Sequence, residues 1–263
     1  MIFDRQRFIY RAIVKEIGKR DFRRKTLEGL AVAIAMMLPE KWWYKAAYQL
    51  SFFTGLFIRP ELKKLRSIGL NRAEGLNSLL SLLTRTGKPY PIKVVTTGME
   101  HLDSNDGLVL CTAHIPLVKV SMASILQSGF TITAAITNKP TPDGTMAVWG
   151  INNRIPTIAR SPTVLIRART ILNCKGSVLL MLDKFYGDAY SPNMLRLCGK
   201  TGGRALFYFA ELKMDGKIYV SLEQPPYPYC KTEAEIVENL KSLAAKIELI
   251  TERYKQQPKF FNW

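Results

Sequence analysis

The sequence predicts an α/β fold with a mixed, mostly parallel central sheet flanked by helices and preceded by an N-terminal helical region. Beyond Pro91, short apolar runs alternate with helical stretches, a pattern typical of a sheet with helices packed on it. Before that point, apolar residues recur at helical spacing and aromatic residues are dense. No internal repeat or low-complexity linker divides the chain. We therefore expect helices in residues 1–90 and one continuous globular unit in residues 91–263.

Four helical segments are expected in the N-terminal region, and they are basic, apolar or aromatic in character. An apolar run of about a dozen residues is shorter than the roughly 20 that a membrane-spanning helix needs. Each segment alone also fits a core helix, but together with the charge of the chain they favour attachment to a membrane surface. The segments are a basic amphipathic helix at 8–25, the apolar run at 27–38, the aromatic stretch at 40–58 and a helix at roughly 60–86.

Six strands and a final helix are expected after Pro91. The helix is predicted because apolar residues recur at helical spacing near the end of the chain, among them Ile236, Leu243 and Ile250. The strands are predicted from short β-type apolar runs. Their sequences are IKVVTTG, GLVLCTA, FTITAAIT, SVLLMLD, RALFYFAEL and KIYVSLEQ.

The charge of the chain limits its partners. A net charge of +17, from 38 Lys and Arg against 21 Asp and Glu, creates a positive field that attracts polyanions. Anionic lipid, an anionic membrane face and an acidic protein all suit such a field. Nucleic acid is not expected as a partner, because the sequence contains no recognisable nucleic-acid-reading module.

His114 is the first candidate for chemistry. The strand GLVLCTA delivers it to a turn at the strand's C-terminal end, where α/β proteins commonly place ligands. Histidine suits proton transfer near neutral pH because its ordinary pKa lies close to 7. The alternative is a strand-end histidine that bonds a backbone carbonyl.

Asp183 and a group of basic residues complete the candidate site. Asp183 follows the predicted strand SVLLML as His114 follows GLVLCTA, so we expect the two side chains at one edge of the sheet. The alternatives are that Asp183 caps the next turn or pairs with Lys184. Basic residues between His114 and Asp183 suit phosphate, or equally a solvated surface. They are Lys139, Arg154, Arg160, Arg167 and Arg169.

Several other kinds of site are disfavoured. The four cysteines are widely separated and form no CxxC pair, so neither zinc nor a disulfide framework is expected. GKTGGR lacks the first glycine of a P-loop, and no GxSxG elbow marks a serine hydrolase. We expect no metal and no cofactor.

Residues 95–120, VTTGMEHLDSNDGLVLCTAHIPLVKV, resemble the start of the catalytic domain in bacterial late lipid A acyltransferases, a branch of the lysophospholipid acyltransferase superfamily. That family has a GMEH-like turn, a strand, and a His followed after four residues by Asp or Glu. The resemblance begins at about residue 25 and reaches the C-terminus. It includes IARSPTVLIRARTILNCKGSVLLMLDKFYG, GGRALFYFAELKMDGKIYVSLEQPP and the closing PKFFNW.

The resemblance implies a peripheral or monotopic enzyme on the cytoplasmic face of the cell inner membrane. Such an enzyme moves an acyl group from a carrier-protein thioester to a hydroxyl of lipid A or a related glycolipid or phospholipid. His114 matches the family's catalytic base, Asp183 its later aspartate, and Arg160 its basic segment. Arg154 and Lys139 are expected to help Arg160 hold phosphate.

The sequence departs from the family at position 119, where Lys119 replaces the acidic partner of the histidine. A lysine cannot accept the imidazole's hydrogen bond, and loss of the equivalent carboxylate in a serine-protease triad costs about 10⁴ in rate. Lys119 is instead expected to join the phosphate-binding group. Three explanations stay open: another carboxylate such as Asp183 substitutes, the enzyme transfers an aminoacyl group such as glycyl with less base assistance, or an inactive relative binds anionic lipid or a partner protein.

Overall fold

The structure is a computed structural model that describes residues 25–58, 68–83, 94–138, 143–148, 154–182 and 190–257. The chain forms two compact units. The first comprises Met1–Arg66 and Asn71–Pro91, and the second comprises Ser67–Leu70 and Ile92–Trp263. The predicted basic helix lies almost wholly outside the described residues, which begin at residue 25.

The described N-terminal helices combine buried and exposed apolar residues. Trp43 and Tyr48 are buried on the second helix, and the indole Nε1 of Trp43 donates a 2.9 Å hydrogen bond to the Leu38 carbonyl. Among the described helices, none is long and apolar enough to cross a membrane. The helices are α1 (residues 25–37), α2 (Glu40–Ile58) and α3 (Ile68–Leu83).

In the described part of the chain, eight strands form one mixed, mostly parallel sheet, which confirms the predicted fold class. The strands are β1 (Val94–Thr97), β2 (Leu108–Ala113), β3 (Ala134–Thr137), β4 (Thr145–Ala147), β5 (Arg154–Ala159), β6 (Ser177–Leu182), β7 (Arg204–Leu212) and β8 (Ile218–Glu223). Their order is β1-β8-β7-β2-β6-β3-β5-β4, and among these described strands only the β7–β8 and β4–β5 pairs are antiparallel.

Helices connect most of the strands. A short 3₁₀ helix, Met99–Leu102, precedes β2. The final helix begins with a capping box, in which the Thr232 hydroxyl accepts the Glu235 amide N–H and the Glu235 carboxylate accepts the Thr232 amide N–H. The α-helices of this region are α4 (Val118–Gln127), α5 (Val164–Asn173), α6 (Asn193–Lys200) and α7 (Glu233–Gln256).

The centre of the sheet consists of β2 and β6, which pair in parallel from Leu108 opposite Ser177 to Ala113 opposite Leu182. All six residues of β2 are buried. A strand covered on both faces needs apolar residues throughout, which explains the unbroken run in its sequence. Because the two strands are parallel, their C-terminal ends meet at one edge of the sheet.

Two strands are not predicted from the sequence, and a third begins later than predicted. β4 and β5 lie in stretches for which the sequence predicts basic candidate residues but no strand. The stretch FTITAAIT becomes a strand only at Ala134. Just before it, the Thr133 amide donates to the Ser177 hydroxyl (2.9 Å) and the Ser177 amide donates to the Thr133 hydroxyl (3.0 Å), so side chains replace the ladder there.

Candidate active site

His114 follows β2 directly, at the C-terminal edge of the sheet, and its side chain is exposed. The chain then turns into α4 through Leu117, which has left-handed backbone angles (φ 66°, ψ 6°) although it is not glycine. That conformation costs a leucine roughly 1–2 kcal/mol. Leu117 is fully buried, so its packing offsets the cost and fixes the turn. Such a strained, fixed turn is typical of functional sites.

A cavity of about 630 Å³ opens beside His114. Its wall is mostly apolar and comes from strands β3 and β6 and helices α4, α5 and α6. A cavity of this size, with an apolar wall and a few polar groups, is typical of small-molecule sites. The apolar residues of the wall include Met122, Ile136, Leu165, Leu180, Leu182 and Met194.

Arg160 brings a positive charge to the same wall. It follows β5, and its amide N–H donates a 2.9 Å hydrogen bond to the Thr137 carbonyl at the end of β3. Its guanidinium donates through Nη1 to the Asn138 side-chain oxygen at 3.4 Å. His114, Asn138 and Arg160 thus follow three parallel strands and meet on one cavity, the usual place for ligands in α/β sheets.

The other predicted site residues lie elsewhere or outside the described residues. Arg154 begins β5, forms an ion pair with Asp143 and donates to the Thr145 hydroxyl (3.2 Å), away from the cavity wall. Lys119 is exposed in the first turn of α4. Lys139 and Asp183 are not among the described residues.

Polar residues that the sequence analysis missed also line the cavity. Asn138 directly follows β3, and Ser161 follows β5 after Arg160. Ser191 lies just before α6, and Asn193 is its first residue. The signal that identified His114, a polar residue just after an apolar strand, applies equally to Asn138. The apolar wall carries no comparable signal, because its residues are ordinary core residues in the sequence.

The second histidine occupies a structural position. His101 lies on the 3₁₀ helix, its Nδ1 lies 3.2 Å from the Gln224 side-chain nitrogen, and its carbonyl accepts a hydrogen bond from Arg204. It does not line the cavity. Within the described part of the chain, no group of three or more potential ligands could hold a metal ion.

Similarity to known proteins is found among solved structures. No protein-family model matches the chain, and no curated protein matches it. The chain is similar to the crystal structure of the 1-acyl-sn-glycerophosphate (LPA) acyltransferase, PlsC, from Thermotoga maritima, with a TM-score of 0.43 and 15% sequence identity. The similarity covers 90% of this chain and 100% of that chain.

Proposed function

We propose that this protein is an acyltransferase that moves an acyl group from a carrier-protein thioester to a hydroxyl of lipid A or a related anionic lipid. The observation that carries the proposal is the exposed imidazole of His114 on an apolar cavity that also carries the Arg160 guanidinium. A histidine at that place suits proton transfer, an apolar wall suits an acyl chain, and a guanidinium suits phosphate.

In the proposed reaction, His114 accepts the proton of the lipid hydroxyl as the oxygen attacks the thioester carbonyl. A C–O ester bond forms and the C–S bond breaks. The departing thiolate takes the proton from the imidazolium, so the numbers of protons and of charges balance. No acyl-enzyme is needed. Arg160 holds a phosphate of the acceptor lipid during this step.

Asp183 is the proposed partner of the imidazole in place of the acidic residue that position 119 lacks. The register of the sheet supports it, because Ala113 lies opposite Leu182. His114 and Asp183 are the next residues of those two parallel strands in the sequence. A carboxylate there would orient the imidazole and stabilise its protonated form.

The apolar wall favours a fatty acyl group as the group transferred. An aminoacyl group such as glycyl is the second candidate, and Lys119 favours it, because this chain departs there from the pattern of enzymes that transfer fatty acyl groups. Both candidates use the same base and the same acceptor, so one assay with both donors compares them.

Attachment to the cytoplasmic face of the inner membrane is proposed from the α1–α2 turn region, which comprises the end of α1, the turn and the start of α2. Met36 and Met37 there are 82% and 80% exposed, and Trp42 nearby is half exposed. The Lys45 ammonium lies 5.4 Å from the centre of the Trp42 ring. Exposed apolar residues with a Trp and adjacent lysines suit the interface of an anionic bilayer.

The test is a transferase assay with purified protein, carrier-protein thioesters of fatty acyl and glycyl groups, and lipid A, read by mass spectrometry of the lipid. We expect His114→Ala to lower the rate by about 10² to 10⁴, the usual contribution of general base catalysis. Asp183→Asn should lower it comparably. His101→Gln is the matched control, since His101 lies off the cavity wall, and it should keep the wild-type rate.

Full activity of His114→Ala would refute the mechanism. Absence of transfer by the wild type from either donor would favour an inactive relative that binds anionic lipid or a partner protein. Mass spectrometry of lipids from cells with and without the gene then identifies the acceptor independently of the purified assay.

A further inference from the structure

Helix α5 presents one face to the interior and another to solvent. Ala168 and Leu172 are buried, and Val164 and Leu165 line the cavity. The remaining face is exposed. At about 100° per residue, Ile166 lies at the centre of that face with one arginine on each side. The exposed residues are Ile166, Arg167, Arg169, Thr170 and Asn173.

The chain segment that contains α5 carries charge of one sign. Residues 144–182 contain five Lys and Arg and no Asp or Glu. Within the part of the chain that the structure describes, Arg167 and Arg169 form no ion pair and no side-chain hydrogen bond. Arginines on α6 and α7 differ, because Arg196 donates two hydrogen bonds to Glu233 (2.7 and 2.8 Å) and Arg253 donates to Glu211 (3.0 Å).

The face also adjoins the candidate site. Arg160, Val164 and Leu165, on the cavity wall, come just before or within the first turn of α5. A helix of ten residues is about 15 Å long, so along the helix axis every exposed residue of α5 lies within about 15 Å of the first turn. A partner on this face would therefore bind to the same helix that contributes Val164 and Leu165 to the cavity wall.

We infer that the exposed face of α5 is the docking surface for an acidic carrier protein, an inference that rests on the proposed function. Carboxylates on a helix of the carrier protein pair with Arg167 and Arg169, because a guanidinium binds a carboxylate through two parallel hydrogen bonds. Ile166 supplies an apolar contact at the centre. Ile166 is the single large apolar residue exposed on this helix, whereas a bilayer-inserting surface needs several, with aromatic residues among them.

The experiment compares two donors that carry the same acyl group. One is the carrier-protein thioester and the other is the thioester of free pantetheine, which has no protein to dock. We expect Arg167→Glu/Arg169→Glu to lower kcat/KM at least about tenfold for the carrier-protein donor, mainly through KM and more strongly at low salt. The pantetheine donor should keep its kcat/KM because Arg167 and Arg169, although predicted from the sequence as phosphate ligands, are exposed on α5 and do not line the cavity. The matched control Lys241→Glu/Lys255→Glu reverses two exposed charges on α7 and should leave both donors unaffected.

Three results would overturn the inference. The first is an equal loss with both donors, and the second is no loss with the carrier-protein donor. The third is loss of binding to phosphatidylglycerol vesicles by Arg167→Glu/Arg169→Glu, which would make α5 a membrane contact instead.

If the wild type transfers from neither donor, the proposed function fails and docking is decided by direct binding. The probe is then fluorescently labelled holo-carrier protein, followed by fluorescence anisotropy. A Kd at least about tenfold weaker for Arg167→Glu/Arg169→Glu than for the control supports the docking surface, and equal values overturn it.

Discussion

Gly98 in the GMEH turn should be far less tolerant of alanine than Gly129 in the turn after α4. Both glycines have left-handed backbone angles, with φ of 77° and 89°. A Cβ on Gly98 would lie 1.9 Å from the Leu222 carbonyl oxygen of β8, whereas a Cβ on Gly129 would meet no atom within 4 Å. The two positions thus share the same backbone strain and differ in the space available.

The expected magnitudes follow from that difference. Left-handed angles cost an alanine roughly 1–2 kcal/mol at either position. At Gly98, the strand backbone must also move by about 1 Å or more, and such overpacking costs about 1–3 kcal/mol further. Gly129→Ala should therefore lower the free energy of unfolding by about 1–2 kcal/mol, and Gly98→Ala by about 2–5 kcal/mol.

Urea unfolding followed by circular dichroism measures both variants against the wild type. The slopes of the transitions should agree, so that the shift of the midpoint reports stability alone. Equal losses for the two variants would refute the reasoning, because the close approach of Gly98 to β8 would then have no energetic consequence. In that case the GMEH turn would need another explanation than its packing.

Two further predictions concern the ion pair of α7 and the membrane. The hydrogen bonds from Arg196 lower the pKa of Glu233, so their stabilisation is present above its unfolded pKa of about 4.3 and is lost as the pH falls through the lower folded value. Urea midpoints of wild type and Glu233→Gln should differ more at pH 7 than at about pH 3, and a constant difference would contradict this. Met36→Glu/Met37→Glu should weaken binding to anionic vesicles, measured by co-sedimentation, at least about tenfold. Met214, in the second unit, is 58% exposed, and Met214→Glu should leave that binding unchanged. Equal binding by both variants would exclude the α1–α2 turn region as the attachment point.

The sheet centre could be predicted because its strands are covered on both faces. β2, β6 and β7 are mostly apolar, and the expected stretch RALFYFAEL coincides with β7. Eight of its nine residues are buried, so the apolar run and the strand have nearly the same limits.

The two strands that the sequence does not predict lie at the edge of the sheet, where few side chains are buried and few positions therefore need to be apolar. In β5 only Ile155 and Ile158 are buried, and Pro156 within it argues against a strand by local rules. β4 has three residues and none is buried. These strands form because β5 pairs with β3 on one side and with β4 on the other. Such pairings cannot be predicted from the local sequence of either strand.

The candidate site could be predicted in part. His114 was identified because a polar residue at the end of a buried strand commonly lies at a ligand site. His114 and Arg160 line the same cavity because the strands lie in the order β2-β6-β3-β5, which differs from their order in the sequence. The apolar cavity wall depends on three helices as well, so its position required the folded chain.

The register of β2 and β6 bears directly on the lysine at position 119. Ala113 and Leu182 lie opposite each other in the parallel β2–β6 pair, and His114 and Asp183 are the next residues in the sequence. A carboxylate supplied by the β6 strand end, rather than by the first turn of α4, would orient His114 without an acidic residue at position 119. Lys119 is exposed in that turn, and its proposed role is to contact, together with Arg160, the phosphates of the lipid.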